Sequence, residues 1–148
     1  MADFDWVTSR IAIGGAIESL YDARRIAAAG ITHVLNVRTD QDEVPLVHKA
    51  GMTYSSNPSK KKDEAVKPPG WFKSSFDIIF GCLADPGTKI LVHCENGENR
   101  SASTAYFFLR AIGIDKKTAK GIVSEGRPGA TMDWNDDAEI ALKALGFS

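Results

Sequence analysis

The sequence predicts a single α/β layer sandwich, with a mostly parallel central sheet and helices on both faces. Three observations lead there. Strand-like and helix-like segments alternate along all 148 residues, with no internal repeat and no long linker. Residues 31–37 (ITHVLNV) are rich in β-branched side chains, and residues 89–93 (KILVH) form a continuous apolar run of the kind found inside parallel sheets. Residues 101–112 (SASTAYFFLRAI) are apolar nearly all round, as in a helix enclosed by the rest of the fold.

The elements follow in order. Residues 10–14 (RIAIG) read as a short strand, and 17–29 as a helix with Leu20, Ala23, Ile26 and Ala27 on one face and Gly30 as its stop. After the strand at 31–37, a helical turn or two over 42–50 leads to a short strand at 52–55. Residues 56–69 (SNPSKKKDEAVKPP) are polar and proline-marked, a loop long enough to suggest function. Phe72, Phe76, Ile79, Phe80 and Leu83 recur at helical spacing and predict one buried face. Asp85-Pro86-Gly87 turns the chain into the strand at 89–93, and shorter amphipathic helices near 115–125 and 136–145 complete it.

Composition narrows the function classes. Hydrophobic residues make up 43% and charged residues 25%, the balance of an ordinary globular protein rather than a disordered or low-complexity chain. A net charge of −1 leaves no global basic field for nucleic acid or an anionic membrane. No apolar run approaches the roughly 18–20 residues that cross a bilayer, and the start MADFDWVTSR lacks the apolar core of a signal peptide, so the cytoplasm is the expected compartment. His33, His48 and His93 lie far apart and no metal-ligand spacing occurs, so no metal site is expected. Six strand residues span about 20 Å, too far for Cys82 and Cys94 to pair directly. Cys82 therefore reads as core, and His33 as a hydrogen-bonded structural residue.

The informative stretch ends the 89–93 strand: His93-Cys94-Glu95-Asn96-Gly97-Glu98-Asn99-Arg100-Ser101. A loop closing onto a helix N-terminus can aim successive backbone N–H groups at one centre, where the helix dipole adds positive potential. Gly97 permits a backbone angle that other residues resist. Arg100 supplies a planar fork for two phosphate oxygens. At the base, Cys94 feels all of these groups, which favours its thiolate, a nucleophile aimed at phosphorus. The plain alternative is a small buried cysteine beside a surface arginine.

VHCENGENRSAS resembles the His-Cys-x-x-Gly-x-x-Arg-Ser/Thr signature of cysteine-based protein phosphatases, and the chain size and upstream GITHVLNV are similar to the dual-specificity branch. The resemblance covers roughly residues 8–130 and implies one phosphatase-like catalytic domain over 1–148. It implies that Cys94 forms a phosphocysteine intermediate, that Arg100 and the backbone of Glu95, Asn96, Gly97, Glu98 and Asn99 bind the phosphoryl group, that Ser101 assists thiolate departure and that His93 braces the loop. The family also places an Asp about thirty residues before the cysteine as general acid and base. Asp63 lies thirty-one residues upstream and takes that role, with Glu64 as the alternative; beside Lys60, Lys61 and Lys62 it otherwise reads as a solvated charge. No cofactor is implied. The implied partner is a phosphorylated protein or peptide, with neither membrane nor nucleic acid expected and a monomer as the default.

The chain departs from the family at some points. Glu95 and Glu98 place two negative charges on the rim of an anion site, which opposes polyanionic substrates such as phosphoinositides. Gly126-Arg127-Pro128 matches an Arg-Pro element, but the Asn that commonly follows is replaced around Thr131-Met132-Asp133, leaving one loop support without its family residue. Arg127 reads as a structural salt-bridge former, with a second substrate anion as the alternative. The Lys60–Lys62 run is a solvated face or a greeting for an acidic phosphopeptide. Two other classes stay open: a rhodanese-like sulfurtransferase, though its Gly-His-Ile-type segment is absent, and a non-catalytic phosphopeptide-binding module, which usually lacks the Cys or the Arg. RNA 5′-phosphates and phosphoinositides stay open as alternative substrates.

Overall fold

The computed structural model describes residues 2–38, 43–59 and 67–147. Its strands are β1 (Phe4–Trp6), β2 (Ile11–Gly14), β3 (His33–Asn36), β4 (Thr53–Ser56) and β5 (Ile90–His93). Its helices are α1 (Leu20–Ala28), α2 (Val44–Lys49), α3 (Pro69–Leu83), α4 (Arg100–Ala111), α5 (Lys116–Gly126) and α6 (Asn135–Ala144). The sheet order is β1-β2-β5-β3-β4; β1 pairs antiparallel with β2, and the remaining pairs are parallel. The predicted architecture is the observed one. Strand β1 was not anticipated, because three residues (FDW) are too few to show a period.

Side-chain alternation along the inner strands divides the core in two. Ala12, Val34 and Leu91 point to the face covered by Ala23 and Ile26 of α1 and Val47 of α2. Ile11, Ile13, Leu35, Ile90 and Val92 point to the opposite face, where α3, α4, α5 and α6 pack. Here α4 is enclosed: every residue from Arg100 to Leu109 is buried. Phe107 stacks on Phe72 of α3 at 5.1 Å between ring centroids, which ties the two helices together.

Helix α3 departs from its predicted face. Phe72 and Ile79 are buried, but Phe80 is 57% exposed, and Trp71, Ser75 and Cys82 occupy the inner side instead. The helix is rotated from its apolar stripe because Asn57 fixes its first turns. The Asn57 amide donates to Trp71 O (2.8 Å) and Ser75 Oγ (2.7 Å), and Trp71 Nε1 donates to Asn57 O (3.1 Å). Phe80 instead stacks on Phe76 at 5.5 Å. As expected, Cys82 and Cys94 are both free thiols, and His33 is hydrogen-bonded to Thr32 Oγ1 (2.7 Å).

One ion pair pins the far end of α4. Arg110 donates from Nε and Nη2 to the two oxygens of Glu139 on α6 (2.8 and 3.0 Å), and Tyr106 Oη donates to the same carboxylate (2.7 Å). Arg110 beside it holds the Glu139 carboxyl below the usual range. A depressed folded-state pKa means that the stabilisation is complete above the ordinary carboxylate range and is lost as pH falls from there through the lowered folded-state value. Glu139→Gln should therefore cost about 1–2 kcal/mol at neutral pH. In urea titrations the gap from wild type should close in acid; a constant gap at all pH values would mean the charge is irrelevant.

Candidate active site

The sheet and α4 present residues 94–99 at the carboxyl end of β5, the middle strand of the sheet. Cys94 is 3% exposed, and its N–H donates to Gly14 O at 3.2 Å, so the loop leaves the sheet from a fixed point. Gly97 adopts φ 70°, in the left-handed region. A Cβ there would also lie 2.6 Å from Arg127 Nη2 and 2.7 Å from the Gly14 carbonyl carbon, so both conformation and space demand glycine.

The thiol is placed for ionisation. Burial pushes its pKa up, but hydrogen bonds from the Ser101 hydroxyl, the Ser101 and Gly97 N–H groups, and the charge of Arg100 outweigh burial and hold it below the ordinary thiol range. Cys94 Sγ lies 3.3 Å from Ser101 Oγ. Arg100 is buried at the first position of α4, and its Nη1 donates to Ser59 O at 3.1 Å. Sequence reasoning therefore placed Cys94, Gly97, Arg100 and Ser101 together, and the structure does the same.

His93 lies wholly buried beneath the loop. Its Nδ1–H donates to Cys94 O at 3.2 Å, since a carbonyl can only accept, and its Nε2 is hydrogen-bonded to the buried carboxyl group of Glu43. Arg38 Nη2 approaches the other Glu43 oxygen at 3.7 Å, and Arg38 Nη1 pairs with Glu95. Glu43 and Arg38 were missed. In the run TDQDE a glutamate reads as solvated charge, and no local pattern marks one that the fold will bury beneath a loop fifty residues later.

The rim residues behave as charges turned to solvent. The side chains of Glu95 and Glu98 are exposed, and the Glu95 charge is compensated by Arg38, which weakens the electrostatic case against polyanions made from sequence alone. Asn96 and Gly97 turn their carbonyls to Arg127, at 2.8 and 3.1 Å. Arg127 also pairs with Asp3 and Asp5, in agreement with its structural reading.

The loop support that the replaced Asn put in question is supplied by other residues. Thr131 N–H donates to Glu98 O at 2.7 Å, while Asn99 and Asp133 bond reciprocally, side-chain amide to carboxylate (2.9 Å) and backbone N–H to side-chain carbonyl (2.6 Å). Met132 between them takes φ 51°, uncommon for a non-glycine residue. The segment that lacks the family Asn thus holds the loop with other atoms. Asp63, Glu64 and Lys60–Lys62 lie outside the described residues.

A strand–loop–helix cradle with a low-pKa cysteine at its base and a buried arginine at its head suits phosphoryl chemistry, and the comparison with known families agrees. Residues 15–134 match the dual specificity phosphatase catalytic domain. The chain belongs to that family. Membership of that family takes the support from the sulfurtransferase reading.

Among curated relatives, rat dual specificity protein phosphatase 26 (Rattus norvegicus) is 34% identical over 91 residues, 58% of this chain and 41% of its own length. Human dual specificity protein phosphatase 2 is 28% identical over 118 residues, 74% of this chain and 36% of its own length. The chain thus spans less than half the length of these relatives. Human DUSP28 superposes with a TM-score of 0.78 at 22% identity, covering 97% of this chain and 95% of that one. Tk-PTP in its active form superposes at 0.76 with 20% identity, covering 97% and 95%. At such identities the shared property is the fold. Among the described residues no group of His, Cys, Asp or Glu is arranged to hold a metal ion, and no helix is long and apolar enough to cross a membrane.

Proposed function

We propose that this dual specificity phosphatase domain hydrolyses phosphomonoesters on tyrosine, and on serine or threonine, of protein substrates through a phosphocysteine intermediate. The observation that carries the reading is the Cys94 thiol at the base of the loop, 3.3 Å from Ser101 Oγ, with its pKa held below the ordinary thiol range by Ser101, Gly97 and Arg100 despite burial. In the first step the Cys94 thiolate attacks phosphorus, the P–O ester bond breaks, and the leaving oxygen takes a proton from Asp63. In the second step water attacks the phosphocysteine, Asp63 takes its proton, and the S–P bond breaks to return the thiolate. Ser101 hydrogen-bonds the departing sulfur. Arg100 and the loop N–H groups bear the charge on the equatorial phosphoryl oxygens throughout.

Asp63 is supported by its thirty-one-residue separation from Cys94. The position of Ser59 also supports it: the Ser59 carbonyl on Arg100 brings the chain four residues before Asp63 to the edge of the cradle. Turnover of para-nitrophenyl phosphate in EDTA tests the reaction class. A panel of phosphotyrosine, phosphoserine and phosphothreonine peptides, a phosphoinositide and a 5′-phosphorylated RNA tests the substrate class.

kcat/KM should be bell-shaped on the acidic side of neutral, because Cys94 must be ionised and Asp63 protonated. Asp63→Asn should remove the limb that falls at high pH. It should also slow alkyl phosphates by about 10²-fold and aryl phosphates much less, since the better leaving group needs the proton less. Equal losses for both substrates, or the same selective loss in Glu64→Gln instead, would transfer or remove the assignment.

A further inference from the structure

The catalytic loop is gripped from behind by an arginine whose own anchor lies on the first strand. All five N–H donors of Arg127 are used. Nε donates to Gly97 O at 3.1 Å, and Nη2 to Asn96 O at 2.8 Å. Nη1 donates to Asp3 Oδ1 (2.8 Å) and Asp5 Oδ2 (3.0 Å), and the second Nη2 hydrogen to Asp3 Oδ2 (2.9 Å). The Arg127 side chain is only 6% exposed, although those of Asp3 and Asp5 are 65% and 44% exposed. Asp3 therefore accepts it bidentately and Asp5 adds a third charge-assisted bond.

The backbone makes the same connection. Asp3 and Asp5 are two residues apart on an extended segment and so share one side of it. Phe4 pairs with Gly14 and Asp5 with Ile13 in the antiparallel β1–β2 ladder. Asp3 O accepts the Gly15 N–H at 2.9 Å, Ala16 N–H donates to Glu95 O at 3.0 Å, and Gly14 O accepts the Cys94 N–H. The first strand thus reaches the loop twice, through the β2 turn and through Arg127.

A phosphate cradle works only if the peptide units point their N–H groups inward, and this sends the carbonyls outward. Those outward carbonyls, of Asn96 and Gly97, are the ones Arg127 takes. An arginine on its own is a long, flexible side chain; with both carboxylates on it, it has one orientation.

We propose that Asp3 and Asp5 are positioning residues of the phosphate cradle, fixing Arg127 so that the Asn96 and Gly97 peptide units stay turned toward the anion. The proposal rests on reading residues 94–100 as a phosphate cradle. It assigns to β1, outside the segment that matches the family model (15–134), a share in organising the site.

The test is a double-mutant cycle on the full chain, read by orthovanadate inhibition, para-nitrophenyl phosphate kinetics and the pH midpoint of Cys94 alkylation by iodoacetate. Asp3→Asn/Asp5→Asn should weaken vanadate about tenfold, the size of one lost charge-assisted hydrogen bond, and shift the alkylation midpoint to higher pH as the inward N–H groups lose their order. Arg127→Ala should lose at least as much. Adding the two Asn substitutions to Arg127→Ala should change vanadate affinity by less than about twofold, because the carboxylates act only through that guanidinium.

Full additivity of the effects would overturn the proposal. So would unchanged vanadate affinity and alkylation midpoint in Asp3→Asn/Asp5→Asn with only a lower melting temperature, which is the signature of a purely structural strand. Asp5→Asn alone, which keeps the bidentate Asp3 contact, should fold and lose about two- to threefold; no loss from it would exclude a share for Asp5. If wild type neither turns over an aryl phosphate nor binds vanadate, the cradle reading itself fails, and that result differs from a wild type that works and variants that match it.

Discussion

Cys94→Ser is expected to bring turnover to background, a loss of about four orders of magnitude or more, while phosphate and orthovanadate still bind. A serine hydroxyl at this position stays protonated where the thiol ionises, so the covalent step loses its nucleophile. The anion site survives the change because its donors lie elsewhere: the loop N–H groups, Arg100, and the turn held by Thr131 and Asp133. Removing the thiolate also removes a negative charge from the cavity, so phosphate should bind no more weakly than in wild type. Isothermal titration with phosphate beside a turnover assay checks both halves. Residual activity near wild type would refute a phosphocysteine mechanism; loss of anion binding would mean that the sulfur holds the loop together.

Arg100→Lys should lower kcat/KM by about 10²–10³-fold, the range found when a donor aimed at transition-state charge is lost. An ammonium keeps the charge and loses the planar fork. The arginine is buried at the start of α4, and one of its nitrogens already holds the Ser59 carbonyl. A lysine there cannot serve that carbonyl and two phosphoryl oxygens with the same geometry. The substitution should therefore also weaken vanadate more than it weakens phosphate, since only the former resembles the transferring group. Retention of most of the activity would show that the loop backbone alone carries the charge.

Much of this was legible beforehand, for identifiable reasons. Cys94, Gly97, Arg100 and Ser101 lie within eight consecutive residues, so their mutual placement is a local matter of strand end, loop and helix start. The enclosed helix 101–112 announced itself through small and apolar residues on all sides, and it is α4. What could not be read is what arrives from far away. Glu43 looks like surface charge and is buried under His93; Arg38 follows a strand and neutralises Glu95; Asp3 lies ninety-four residues before Gly97 and fixes the arginine that holds it. The rotation of α3, which exposes Phe80, has the same origin, because Asn57 and not the apolar stripe sets its first turns.

The sequence by itself determined the layer architecture, the parallel strands and the loop that joins Cys94 to Arg100, since hydrophobic period and short-range spacing act over a few residues and need no partner to be recognised. The tertiary structure alone decided which charges face the loop and which carbonyls are held behind it. A buried ion pair is set by which segments the sheet order brings side by side, β1 beside β2 and β3 beside β5. Charge on a side chain looks the same in sequence whether water or an arginine will balance it.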